Sequence, residues 1–129
     1  MNVTTMAVPR PGVQERILLH LRDYVDHADK VEVPFALSQM GIANAVAIAR
    51  SNVPRAIAGM REQGHLIERQ AHVTGVSRKR KAYFLTEEGA NIANDIWAKV
   101  STQPVRLVHP DGRSETLELA QALESTELP

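Results

Sequence analysis

The sequence predicts a mainly α-helical α+β domain with a three-helix core, a small projecting β-hairpin, a further helix and a short β-containing extension. Three observations lead there. Apolar residues recur at helical spacing in four separate stretches. Two short strand-like runs surround a polar, Gly-containing tip. Eight of the fifteen basic residues crowd between Arg50 and Lys81.

Residues 1–10 are expected to form a disordered tail, 11–100 the main domain, and 101–129 a small extension. Pro11 and Gly12 open a first helix, because Ile17, Leu21, Tyr24, Val25 and Ala28 follow one helical stripe while Glu15, Arg16, Arg22, Asp23 and Asp26 take the other face. "VEVPF", Val31 to Phe35, is too short for a helix and contains Pro34, which suits a short edge strand. In "LSQMGIANAV", Ser38 is placed to cap a second helix whose inward face is Met40, Ile42, Ala43 and Val46. Ser51 offers a fresh cap for a third helix, with Pro54 tolerated in its first turn and Val53, Ala56, Ile57 and Met60 on its stripe. Gly64 stops it.

The opposite face of that third helix carries Asn52, Arg55, Ala58, Gly59 and Glu62. Small residues there allow close approach, either of a ligand or of a neighbouring helix. "HLIERQ", "AHVTGVS" and the basic run leading into "AYFLT" then form a hairpin. Its returning strand carries the cations outward and its aromatics inward. Thr86 is placed as an N-cap, followed by Glu87 and Glu88 where the helix dipole favours anions. Ala93, Ile96, Trp97 and Val100 continue that helix. Beyond Pro104, "PDG" marks a turn between two strands, and Leu117, Ala120 and Leu123 are expected to line a short helix. The final "STELP" is expected to be disordered.

The chain of 129 residues has no net charge and no cysteine. Disulfides, a thiol nucleophile and a thiolate metal site are therefore excluded, and an oxidising compartment is not required. "MNVTTMAVPRPG" lacks the apolar core of a secretion signal and no run is long enough to span a bilayer, so a cytoplasmic setting and no membrane partner are expected. Neutrality conceals polarity: Arg50 to Lys81 holds eight basic residues against Glu62 and Glu68, a net +6 that the rest of the chain balances. Such a local excess marks one face for a polyanion, or else a solvated salt-bridged surface.

No residues assemble into a catalytic set. Glu87 and Glu88 are adjacent on a helix and point apart, and no Ser–His pair has a nucleophile's setting. His20, Asp23 and His27 share one helix face, but too few ligands lie there for a metal site unless a second chain contributes. No cofactor, no metal and no enzymatic activity are expected.

The segment from "VPFALSQMGIANAVAIARSNVPRAIAGM" to "KAYFLTEEG", Val33 to Gly89, resembles the winged helix-turn-helix DNA-binding domains of bacterial and archaeal transcription regulators. It is most similar to the MarR-like branch and to archaeal regulators with a "GIA…RS…GHL" and "YFLTEEG" pattern. The resemblance implies sequence-specific binding of double-stranded DNA, with Arg50, Ser51, Asn52 and Arg55 at the start of a recognition helix and Arg78, Lys79, Arg80 and Lys81 on the wing. It also implies a homodimer, with the Trp97 helix and the first helix as candidate surfaces; Trp97 serves equally well as core. Pro54, where relatives often carry a hydroxyl residue, and Ala47, where many have Gly, depart from the pattern. Alternative readings are an RNA-binding or protein-interaction module, or the DNA-binding front of a larger signalling protein. The effector ligand, if any, is not legible.

Overall fold

The computed structural model describes residues 5–7, as backbone, and 12–121. They fall into two compact units, one from Pro11 to Asp95 and one that holds Thr5–Ala7 and the residues from Ile96 onward.

In the larger unit, helix α1 spans Val13–Leu21 and buries Ile17, Leu18 and Leu21. Its expected continuation to Ala28 does not occur. The backbone tightens into a 3-10 segment, Arg22–His27, with a break at Tyr24 (φ −122°, ψ 19°), and Val25 is left 47% exposed. An aromatic and a β-branched residue in succession lose side-chain freedom against a preceding helical turn. Here the tighter turn sets the Tyr24 ring between His20 and His27, with centroids 5.6 and 5.8 Å away.

Strand β3 spans Leu66–Val73 and strand β4 Arg80–Leu85, paired antiparallel from Leu66↔Leu85 to Ala71↔Arg80. The expected strand at Val31–Phe35 is shorter: β2 is Glu32–Val33, parallel to His72–Val73 at the outer end of β3. Pro34, which lacks an N–H for the ladder, ends it. Phe35–Leu37 then form a 3-10 turn.

Helix α2, Gln39–Val46, is capped by Ser38, whose hydroxyl accepts from the Gly41 N–H at 3.1 Å and donates to the Phe35 carbonyl at 2.7 Å. The inward face is Gly41, Ile42, Ala43 and Val46, so Met40, expected inside, is instead 40% exposed. Gly41 takes the inward position because the helix start lies directly on the backbone of Phe35 and Ala36, where a side chain would not fit. Ala47 ends the helix in the left-handed conformation (φ 57°, ψ 51°), and the Ile48 N–H closes back on the Ala43 carbonyl at 3.1 Å.

Helix α3 spans Val53–Glu62 and is entered through a 3-10 turn, Arg50–Asn52. Ser51 is therefore not the cap expected of it. The Asn52 and Val53 N–H groups already bond the Ala49 and Arg50 carbonyls, which leaves a serine side chain little to satisfy there. Gly64, at φ +79°, ends the α3 connection as expected.

Helix α4 spans Glu87–Ser101. Thr86 caps it as expected, accepting from the Gly89 N–H at 3.0 Å, and its hydroxyl also donates to the Gly64 carbonyl at 2.6 Å. One threonine thus joins the end of α3 to the start of α4. Tyr83, Phe84, Ile17, Leu21, Leu37, Ile42 and Met60 are the largest fully buried side chains of this unit. The result is the expected mainly α, mixed α+β arrangement: three helices packed on a small sheet, with the β3–β4 hairpin as a wing.

In the smaller unit, β5 (Pro104–Val108) pairs antiparallel with β6 (Ser114–Glu118), and β1 (Thr5–Ala7) pairs antiparallel with the other edge of β5. Over 5–7 this corrects the expectation of a disordered tail at 1–10, whose other residues lie outside the described ones: the open edge of β5 supplies unpaired backbone groups, and Thr5–Ala7 satisfy them. Val105, Leu107 and Leu119 form its core, flanked by Val100 and Leu117. Leu117 lies in β6, not in a helix, and helical backbone begins only at Leu119. Leu123 and the "STELP" end lie outside the described residues.

Candidate nucleic-acid interface

Helix α3 is amphipathic in the sense its sequence dictates. Val53, Ile57 and Met60 are buried, while Asn52, Arg55, Ala58 and Glu62 are exposed. Arg50 and Ser51, in the preceding turn, are exposed as well. None of the four residues placed at the head of this helix is occluded by the protein. Gly59 is only partly exposed, and a Cβ there would come within 3.1 Å of the Gln14 side chain on α1. On that side its neighbour is the tip of a flexible side chain of α1.

The wing carries its cations in two settings. Arg78 and Lys79 lie in the turn, whereas Arg80 and Lys81 begin β4 opposite Ala71 and Gln70. All four are exposed. From Ala82 the strand turns inward, with Ala82, Tyr83, Phe84 and Leu85 all buried. The expectation that the whole basic run sits on the returning strand is thus half met. Gly75, at φ +83°, lies in the turn that follows β3.

Not every cation of the basic segment faces outward. Arg69 donates to the Ala28 carbonyl at 2.9 Å and to the Lys30 and His27 carbonyls at 2.5 and 3.3 Å, with its guanidinium 4.4 Å from the Phe84 ring centre. It clamps the loop after the 3-10 segment to the sheet. Arg61 lies 3.6 Å from Glu68. That leaves Arg50, Arg55, Arg78, Lys79, Arg80 and Lys81, none of which pairs with a carboxylate among the described residues. Their positive charge is uncompensated by the fold.

Three of these six converge. Arg50, from the turn before α3, and Arg80 and Lys81, from the wing, line one groove of about 290 Å³ together with Phe35, Ser38, Gln39, Met40 and Val76. The turn leading into α3 and the wing therefore share a side of the unit. Ser51, Asn52, Arg55, Arg78 and Lys79 do not line this groove. Sequence reasoning missed the contribution of Phe35, Gln39, Met40 and Val76. The signal that could have found it is Met40 itself, an apolar residue beside a capped helix start, whose inward position Gly41 has taken.

Beneath the groove, Gln39 donates to the Tyr83 hydroxyl at 2.9 Å. Burial of the phenol is the main reason its pKa is raised, so Tyr83 stays neutral and holds α2 to β4 through that bond.

The histidines weighed as metal ligands are engaged otherwise. A His20 ring nitrogen lies 2.8 Å from the Ala36 carbonyl, and His27 sits 3.6 Å from Asp26. Among the described residues no three His, Asp or Glu side chains converge on a metal site, and no helix is long and apolar enough to cross a membrane.

No protein-family model and no curated protein matches the sequence. Solved structures do share its fold. The zinc-responsive MarR family member ZitR of Lactococcus lactis is 24% identical with a TM-score of 0.51, over 70% of this chain and 54% of that one. MepR, a transcription regulator of the Staphylococcus aureus multidrug efflux pump MepA, is 16% identical with a TM-score of 0.51, over 68% of this chain and 56% of its own. A mutant form of MepR is 17% identical, with a TM-score of 0.52, over 70% of this chain and 58% of its own. The chain thus spans little more than half the length of these regulators. At such identities the likeness establishes the winged-helix fold.

Proposed function

We propose that this protein binds double-stranded DNA and acts in transcription regulation, with α3 entering the major groove and the wing lying on the backbone or in the minor groove. The observation that carries the reading is the convergence of Arg50, Arg80 and Lys81 on one groove, beside exposed Ser51, Asn52 and Arg55. A major groove roughly 12 Å wide admits a helix, and a flanking cationic hairpin then meets the phosphates alongside. The regulators that share the fold support the same assignment. In this reading Arg55 and Asn52 read base edges, each pairing contributing about 1 to 3 kcal/mol of discrimination. Arg78, Lys79, Arg80 and Lys81 supply sequence-independent affinity by releasing counterions. A homodimer on paired half-sites completes the proposal.

The test is a duplex selected from a random pool, followed by anisotropy titrations with selected and scrambled duplexes at several salt concentrations. Replacing Arg55 by Ala is expected to reduce preference at one base pair. Neutralising residues 78–81 is expected to weaken binding to every duplex and to flatten the salt dependence, by about 0.9 in log–log slope for each phosphate no longer neutralised. Equal losses on all sequences from both changes would contradict base reading by Arg55. Failure to enrich any duplex would overturn the proposal.

A further inference from the structure

We propose that the groove between α2 and the wing seats a single sugar–phosphate strand and selects deoxyribose over ribose; this rests on the duplex-DNA reading above. The groove has two kinds of wall. Arg50, Arg80 and Lys81 are cationic, while Phe35, Met40 and Val76 are apolar, with Phe35 and Met40 exposed by 41% and 40%. Large apolar side chains left open beside three cations are an arrangement that calls for a partner. A nucleic-acid strand has the complementary pattern, because each anionic phosphate alternates with a sugar whose carbon edge is apolar when the 2′ position carries only hydrogen.

Two of the groove's neutral polar groups are turned into the fold. The Ser38 hydroxyl is turned to the Phe35 carbonyl and the Gly41 N–H, and the Gln39 amide nitrogen to the Tyr83 hydroxyl. A ribose 2′-hydroxyl set directly on the Phe35 and Met40 side chains would give up water for an apolar surface. The cations recognise the phosphate and the apolar wall recognises the absence of a hydroxyl. Phe35, Met40 and Val76 thereby become specificity residues for the kind of nucleic acid, separate from the residues of α3 proposed to read sequence.

The experiment uses the full chain and the duplex selected above, prepared as a series in which one nucleotide at a time carries a 2′-hydroxyl, and matched duplexes carrying 2′-fluorine at the same place. Wild type is compared with the F35A/M40A double variant, whose fold is checked by circular dichroism and whose changed side chains are exposed. The expected result is a loss of about five-fold or more at one backbone position per bound subunit. Neighbouring positions should be silent, the 2′-fluorine duplex should bind like DNA, and the double variant should show no dip. A flat profile on a duplex that is still bound would overturn this inference alone and assign the groove to another occupant, such as a small organic anion or a peptide. An equal loss with 2′-fluorine would attribute the effect to sugar pucker and overturn it too. No binding to any duplex would overturn both this inference and the function it rests on.

Discussion

Replacing Gly41 by Ala tests how the groove is built. A Cβ at this position would overlap the Phe35 carbonyl oxygen and sit 2.7 Å from the Ala36 Cα and 2.8 Å from the Phe35 carbonyl carbon. All three are backbone atoms, so no side chain can swing aside. Ordinary packing needs more than about 3 Å, so the start of α2 must move off the Phe35–Leu37 turn by about 1 Å or rearrange it. That movement would disturb the Ser38 cap, whose hydroxyl bonds both the helix start and the turn. Overpacking of this kind costs about 1 to 3 kcal/mol, and losing a cap about 1 more. The better helix propensity of Ala returns about 1 kcal/mol. A net loss of about 1 to 3 kcal/mol is expected, which lowers the melting temperature of a unit this size by roughly 5 to 20 °C. Thermal and urea unfolding followed by circular dichroism measure it. Gly75→Ala is the control, since nothing lies within 4 Å of a Cβ there and only its φ of +83° opposes the change; it should cost about 1 to 2 kcal/mol. A Gly41→Ala protein that melts within about 2 °C of wild type would refute the packing argument.

Ala47→Gly should stabilise the protein by about 0.5 to 1 kcal/mol, because relief of the left-handed strain, about 1 to 2 kcal/mol, exceeds the added flexibility of the unfolded chain; an unchanged urea midpoint would count against strain at φ 57°. Arg69→Ala should cost about 2 kcal/mol of stability, since it removes three carbonyl bonds and the Phe84 stacking. The salt slope of DNA binding should not change, and a smaller slope would show that Arg69 meets phosphate. Tyr83 has a folded pKa above its unfolded value of 10.0, so the unfolded chain releases this proton first as pH rises. Its contribution is fully present below about pH 10 and is lost as pH climbs from there toward the folded value. Urea midpoints between pH 8 and 11 should fall for wild type and fall less for Tyr83→Phe.

Much of the architecture was legible because its signals are local. Ser38 and Thr86 cap helices for the reason their position implies, a hydroxyl one residue ahead of a helical stripe meeting an unsatisfied N–H. Gly64 stops a helix through its own φ, and Val53, Ile57 and Met60 are buried because their spacing puts them on one face. The exposure of Arg55 follows in the same way from the face opposite that stripe, whereas Arg50, Ser51, Arg78 and Lys79 are exposed because they lie in turns.

What the sequence determined by itself is therefore the four main helices and the hairpin, most of their inward faces and the crowding of charge along one stretch, since each depends on neighbours within a turn or two. Only the tertiary structure decided which cations remain free. Arg69 reads like its neighbours, yet its carbonyl partners lie about forty residues away in the chain. It likewise decided that Met40 faces outward, because Gly41 packs on a backbone that no local pattern reveals. The groove exists for the same physical reason. Arg50, Met40 and Lys81 belong to three separate elements, and their meeting depends on long-range packing and strand pairing, which spacing along the chain does not encode.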